Sequence, residues 1–191
     1  MFDKKTKKMR KYFENFDWDA FWIEDGYSLQ TYTGKPLADD AVKQAEEELG
    51  YKLPNSYIEL LKNKNGGISK DVCFRTDVAT SWADDHIAIC GILGINNHDN
   101  SLLQECGTKF MIEEWGYPEI GIIVCDCPSA GHDCVMLDYS KCGNDGEPQV
   151  VHVNVEDEDK PVITFLAKDF ETFILGLINE DVFLEQDEAE E

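Results

Sequence analysis

The segment AEEELGYKLPNSYIELLKNKNGG, residues 45–67, predicts two consecutive helices separated by a short step in the chain. Apolar side chains recur at helical spacing through Val42, Ala45 and Leu49. The first helix should end at Gly50, because glycine tolerates the left-handed backbone conformation that commonly closes a helix. Pro54 then suits the first turn of the second helix, where its missing N–H would have had no partner.

The second helix should bury one side and stop at the glycine pair. Tyr57, Leu60 and Leu61 form its predicted buried stripe. The run NKNGG, residues 63–67, then supplies residues that tolerate positive φ angles, so we expect it to close the helix.

Beyond residue 70 the pattern changes to short β-branched runs bounded by turn residues, which is typical of strands. Two short helical pieces are expected between them, at SLLQEC (101–106) and KFMIEEW (109–115). In QVVHVNV (149–155) the valines alternate with His152 and Asn154, which predicts a sheet with one wetter face. The predicted strands are DVCFRT (71–76), HIAICGILGI (86–95), IGIIVCDC (120–127), CVMLDYS (134–140), QVVHVNV (149–155) and PVITFLA (161–167).

Helices first, strands in the middle and a helix last indicate a single α+β domain with a mainly antiparallel sheet. The closing helix is predicted from apolar residues at i, i+3, i+4, i+7 and i+8, starting at Phe170. We place the domain at residues 20–180, with FDWDAFW (16–22) contributing core aromatics. Residues 1–19 are expected to form an amphipathic helix or extension, and residues 181–191 a disordered acidic tail.

The charge of the chain limits its partners. Its 191 residues contain 17 basic and 39 acidic side chains, a net charge of −22. Such a surface repels nucleic acid and anionic membranes, so neither is an expected partner. No secretory signal or membrane-spanning run is predicted, and seven cysteines without a signal favour reduced thiols in the cytoplasm. No cofactor is expected, and the oligomeric state is left open.

The sequence resembles the SMI1/KNR4 family, also called the SUKH superfamily, over about residues 20–180. Later stretches that resemble a bacterial branch are SWADDHIAICGILGI (81–95), EEWGYPEIGIIVCDCPSAGHDCVMLDY (113–139) and FLAKDFETFILGL (165–177). The residues that carry the N-terminal signature are Glu46, Leu53, Pro54, Tyr57, Leu61, Asn65, Gly66 and Gly67.

This resemblance implies a non-enzymatic α+β domain that acts through protein contacts. Bacterial members are similar to immunity proteins that neutralise a toxin domain, frequently a nuclease. Fungal relatives resemble regulators of cell-wall synthesis, so a regulatory scaffold is an alternative. Kinship of fold does not by itself determine function.

The cysteine-rich stretch VCDCPSAGHDCVMLD, residues 124–138, allows three interpretations. A zinc site would use thiolate and imidazole ligands, but a Cys-x-Cys pair is tighter than the usual spacing. A catalytic thiol with His132 as base would need an electropositive setting, whereas the neighbourhood is acidic. We favour a strand–turn–strand hairpin with a recognition surface at its tip, and keep a metal- or thiol-dependent protein as the alternative. The residues of that alternative are Cys125, Cys127, His132, Cys134 and Cys142.

Three clusters of aromatic and acidic residues are candidate partner-binding sites, because interfaces favour aromatic anchors beside charges that steer encounter. Carboxylates beside tryptophan would suit the cationic cleft of a nuclease. The competing interpretation is that the aromatics are core residues with a solvated acidic rim. The clusters are Trp82, Asp84, Asp85 and His86; Glu113, Glu114, Trp115 and Tyr117; and Asp126, His132, Asp133, Asp138 and Tyr139.

Overall fold

The computed structural model describes residues 11–156 and 160–183. Its helices are α1 (Trp18–Phe21), α2 (Gly26–Thr31), α3 (Asp39–Leu49), α4 (Asn55–Asn63), α5 (Thr108–Trp115) and α6 (Phe170–Leu175). Its strands are β1 (Cys73–Arg75), β2 (His86–Ala88), β3 (Gly91–Ile92), β4 (Gly121–Asp126), β5 (Asp133–Asp138), β6 (Gln149–Asn154) and β7 (Val162–Ala167). Within these ranges, the helices are too short or too polar to cross a membrane.

The main sheet has five antiparallel strands in the order β3-β4-β5-β6-β7. Strands β4 and β5 pair from Gly121 opposite Asp138 to Asp126 opposite Cys134, with a register shift between Ile123 and Cys125. Strands β1 and β2 form a separate two-stranded sheet. The predicted α+β class with a mainly antiparallel sheet is therefore confirmed.

The helix pair α3–α4 forms as the sequence predicts, except that the C-cap of α4, Lys64, is extended and the expected positive φ occurs only at Gly66. Helix α3 ends at Gly50, whose φ of 78° lies in the left-handed region. Glu46 then holds the chain beyond that end, since its carboxylate accepts the backbone N–H of Leu53 at 3.0 Å and the ammonium of Lys52 at 2.6 Å. Helix α4 packs on α6, where the rings of Tyr57 and Phe170 lie 4.9 Å apart.

Asn65 and Gly66 fasten α4 to the loops around the sheet. The Asn65 side chain donates hydrogen bonds to the carbonyls of Lys35 (2.9 Å) and Ile95 (2.8 Å) and accepts one from the Ile95 amide (2.8 Å). Gly66 has a φ of 85°, and a methyl group there would lie 2.5 Å from the Tyr32 carbonyl oxygen. Only glycine fits this conformation in this space without strain.

Gly67, the last residue of the signature, bonds directly to the sheet. Its backbone exchanges two hydrogen bonds with Ile92 of β3, at 3.0 and 2.8 Å. The Asn-Gly-Gly signature thus joins the helical layer to the sheet edge.

The N-terminal prediction differs from the structure. Residues 11–16 of the expected helix are not helical, and Phe13 and Asn15 have φ angles of 53° and 63°. The Phe13 amide instead donates to Glu171 on α6 at 2.7 Å, and its ring is buried. Tertiary packing therefore outweighs the local helical pattern. The remainder of that prediction, residues 1–10, lies outside the described residues.

Three further expectations are corrected. The segment 101–106 forms turns, because the Ser101 hydroxyl bonds to the carbonyls of Gly94 and Asn96 in place of a helical ladder. His152 does not face water, since it is only 1% exposed. At the C-terminus, residues 181–183 form a helical turn with Phe183 buried, and residues 184–191 of the predicted disordered tail lie outside the described residues.

Candidate functional site

The β4–β5 hairpin is present as predicted, and its turn is held by local contacts. Ala130 and Gly131 adopt φ angles of 57° and 97°. The Asp133 amide donates to the Ser129 hydroxyl at 2.8 Å. The Asp133 carboxylate bonds the side chains of Ser81 and His152, which belong to other segments of the chain. The hairpin tip consequently presents His132, which is exposed.

The end of α5 lies against this tip. The rings of Trp115 and His132 are 5.8 Å apart in an edge-on arrangement, and the Tyr117 hydroxyl donates to the Gly131 carbonyl at 2.8 Å. Trp115 remains 40% exposed, and Glu113 and Glu114 beside it are also exposed. The second predicted cluster and the tip of the hairpin therefore form one continuous surface.

The loop that precedes β2 reaches the same end of the sheet. The Ser81 hydroxyl donates to Asp133 Oδ2 at 3.3 Å, so the loop that carries Trp82 reaches the start of β5. Trp82 is 41% exposed and Asp84 is exposed, while Asp85 is half-buried beside Arg75 at 3.4 Å. We call the combined area the hairpin-end surface, and define it by Trp82, Asp84, Asp85, Glu113, Glu114, Trp115 and His132.

Three other residues of the predicted clusters lie at or near this surface but are largely covered by neighbours. They are His86, Tyr117 and Asp126. His86 stacks on Phe183 with ring centroids 3.7 Å apart, and its Nδ1 lies 2.8 Å from Asp85. Tyr117 is buried. Asp126 accepts a hydrogen bond from the Tyr32 hydroxyl at 2.7 Å, and burial raises the pKa of its carboxyl to about 6.

Asp138 and Tyr139 are corrections to the predicted binding set. They lie at the opposite end of β5 from the hairpin tip, and both are buried. The Tyr139 hydroxyl donates to the Lys52 carbonyl at 2.6 Å, and Gln149 donates to the Asp138 carboxylate at 2.7 Å. Both side chains therefore serve internal contacts. Asp133 is likewise only 3% exposed, so it supports the hairpin-end surface from beneath.

The five residues of the metal- or thiol-dependent alternative do not converge. Cys142 is exposed beyond the far end of β5, and His132 is exposed at the tip. Cys125 lies opposite Val135 and Cys134 opposite Asp126, so these two thiols point to opposite faces of the sheet. Burial first, and nearby carboxylates second, raise the pKa of the Cys127 thiol well above its ordinary value. Such a thiol is a poor nucleophile at neutral pH.

Sequence reasoning missed two contributors to this region. His152, to which no role was assigned, lies 2.8 Å from Asp133 on the neighbouring strand. Phe110 is 41% exposed and lines, with Trp115, a cavity of about 240 Å³ behind the hairpin. The position of His152 beside Asp133 follows from the pairing register of β5 with β6. No signal in the sequence separates an exposed helical phenylalanine from a core one.

The pKa of Asp133 reflects two opposing effects. Burial alone would raise it, but hydrogen bonds from His152, Ser129 and Ser81, together with the charge of His152, outweigh burial and hold the pKa below its ordinary value. The carboxylate is therefore ionised at neutral pH although it is almost inaccessible to water.

These features define an α+β domain whose exposed groups at one end of the sheet are aromatic rings and carboxylates. The chain belongs to the SMI1/KNR4 family (SUKH-1), since the model of that family matches residues 36–176. This confirms the resemblance seen in the sequence, and the family includes immunity proteins. A search of the curated proteins found no match.

Proposed function

We propose that this protein is an immunity protein that binds a cognate toxin domain through the hairpin-end surface and blocks it without bond-making chemistry. The observation that carries the proposal is the pair of half-exposed tryptophans, Trp82 and Trp115, set among carboxylates at one end of the sheet. Membership of the SMI1/KNR4 family supports it, because that family includes immunity proteins.

Two kinds of residue contribute to binding at such a surface. Aromatic residues supply affinity, and charged residues accelerate association. Tryptophan is over-represented among residues that dominate binding energy, because it desolvates a large ring at small entropic cost. Asp84, Glu113 and Glu114 are exposed and lie on the rim, where charges mainly accelerate encounter. A net charge of −22 adds long-range attraction toward a basic partner such as the cleft of a nuclease.

The test takes any toxin domain that the neighbouring reading frame encodes, and measures growth rescue on co-expression and association kinetics at low and high salt. The variant Asp84→Lys/Glu114→Lys should slow association at low salt by about tenfold or more and flatten the salt dependence. The matched control is Asp40→Lys/Glu59→Lys, which changes net charge equally at exposed positions on α3 and α4. We expect this control to retain most of the steering.

A second variant tests the anchor. Trp115→Ala should raise the dissociation rate and weaken binding by about 2 kcal/mol or more while leaving association nearly unchanged. Equal effects of the two charge-reversal pairs, together with unaltered binding of Trp115→Ala, would remove the hairpin-end surface from the interface. Failure of the intact protein to rescue growth or to bind the toxin would refute the proposed function itself.

A further inference from the structure

Three potential metal ligands lie side by side across the sheet, beneath the hairpin-end surface. Cys125 pairs with Val135 and Asp126 with Cys134, and the next residue, Cys127, lies close to Asp133. His152 pairs with Val135 and therefore shares the face of Asp133 two residues away. Antiparallel pairing thus brings one thiol, one carboxylate and one imidazole from three neighbouring chain segments to one point.

The ligand atoms of Cys127, Asp133 and His152 all lie within 4.8 Å of one another. The three side chains are 4%, 3% and 1% exposed. Asp133 Oδ2 is 2.8 Å from His152 Nε2, but Asp133 Oδ1 is buried without a hydrogen-bond partner in the part of the chain that the structure describes. An unpartnered carboxylate oxygen at a buried position is costly, and a bound ion would satisfy it.

The chemistry of this set suits zinc. Thiolate, imidazole and carboxylate are the three ligand types that Zn²⁺ takes in proteins, at distances of about 2.0–2.3 Å. A thiolate and a carboxylate would together neutralise the ion, so the bound site would bury no net charge. At these ligand distances the His152–Asp133 contact of 2.8 Å must open around the ion.

The surroundings provide support and access. The Ser81 hydroxyl bonds Asp133 Oδ2 at 3.3 Å and orients the carboxylate from outside the ligand set. The cavity of about 240 Å³ borders Cys127 and Asp133, two of the three ligands, and offers space for a water beside them. We propose that Cys127, Asp133 and His152 form a zinc site that ties the β4–β5 hairpin to β6.

The test is direct metal binding by the full chain. Protein freed of metal with a chelator would be titrated with Zn²⁺ by calorimetry, and with Co²⁺ by absorption spectroscopy. We expect one ion per chain, a higher melting temperature with Zn²⁺, and a thiolate-to-cobalt charge-transfer band. Cys127→Ser should abolish that band, and His152→Gln should weaken zinc binding by more than the 10–100-fold typical of losing an outer partner.

Cys134→Ser is the matched control, because Cys134 is a buried thiol in the same hairpin on the opposite face of the sheet. It should keep the stoichiometry and the cobalt band. Three results would overturn the proposal: fewer than one bound ion per chain, a cobalt band retained in Cys127→Ser, or a cobalt band lost equally in Cys134→Ser. Circular dichroism of each metal-free variant separates loss of the site from loss of the fold. The outcome is independent of toxin binding, so it can fail while the proposed function stands.

Discussion

Replacing Asn65 by alanine tests the claim that this side chain fastens the helical layer to the sheet. Asn65 is 5% exposed and makes three side-chain hydrogen bonds, two with Ile95 and one with Lys35. Each such bond contributes about 1 kcal/mol, and the stranded Ile95 amide adds a penalty because it is buried. We therefore expect Asn65→Ala to lower the free energy of unfolding by about 3 kcal/mol or more.

The measurement is urea unfolding followed by tryptophan fluorescence, together with thermal unfolding by circular dichroism. A loss of about 3 kcal/mol should lower the melting temperature by about 6–12 °C in a protein of this size. Asn144→Ala is the matched control, since it deletes the same atoms at an exposed position with one bond, to the Gly50 carbonyl at 2.9 Å. It should cost within about 0.5 kcal/mol. Similar losses for the two variants, at unchanged denaturant slopes, would refute the reasoning.

Other predictions follow from backbone conformation, a buried hydroxyl and thiol burial. Gly66→Ala should lower the free energy of unfolding by about 2 kcal/mol or more, and Gly50→Ala by about 1 kcal/mol. Both φ angles are positive, but only Gly66 lacks space for a methyl group. Urea unfolding of the two variants tests the difference. Tyr57→Phe should cost about 1–2 kcal/mol by the same assay, since its hydroxyl donates to a buried carbonyl. In the native protein, iodoacetamide should modify the exposed thiol of Cys142 well before the buried thiols. Mass spectrometry of timed samples measures the rates, and equal rates of modification would contradict the burial of those thiols. The buried thiols are Cys73, Cys125, Cys127 and Cys134.

Much of the fold could be predicted from residues whose role is local. Gly50 and Pro54 mark helix boundaries because their backbones permit few alternatives, and both boundaries lie where the pattern puts them. The hairpin at residues 120–139 was predicted from two strands and a turn that contains Gly131. The helix expected at residues 101–106 failed because the Ser101 side chain bonds two carbonyls that only the folded chain places beside it.

The candidate site was predicted in part. Trp82 and Trp115 were singled out by type, but their neighbouring sequences could not show that they share one end of the sheet. Asp138 and Tyr139 belong to the same run of sequence as His132, yet β5 carries them to the other end of the sheet, where they are buried. Each residue extends a strand by about 3.4 Å, so residues near each other in sequence can lie at opposite ends of the same strand.

The sequence by itself determined the α+β class, the helix pair, the hairpin and the acidic charge, because these depend on backbone freedom, periodicity and composition. Only the tertiary structure decided which polar groups meet. His152 reads as a solvent-facing strand residue, and its meeting with Asp133 and Cys127 depends on the register of three segments. Register is set by the simultaneous burial of the whole sheet, and no single stretch of the chain contains that information.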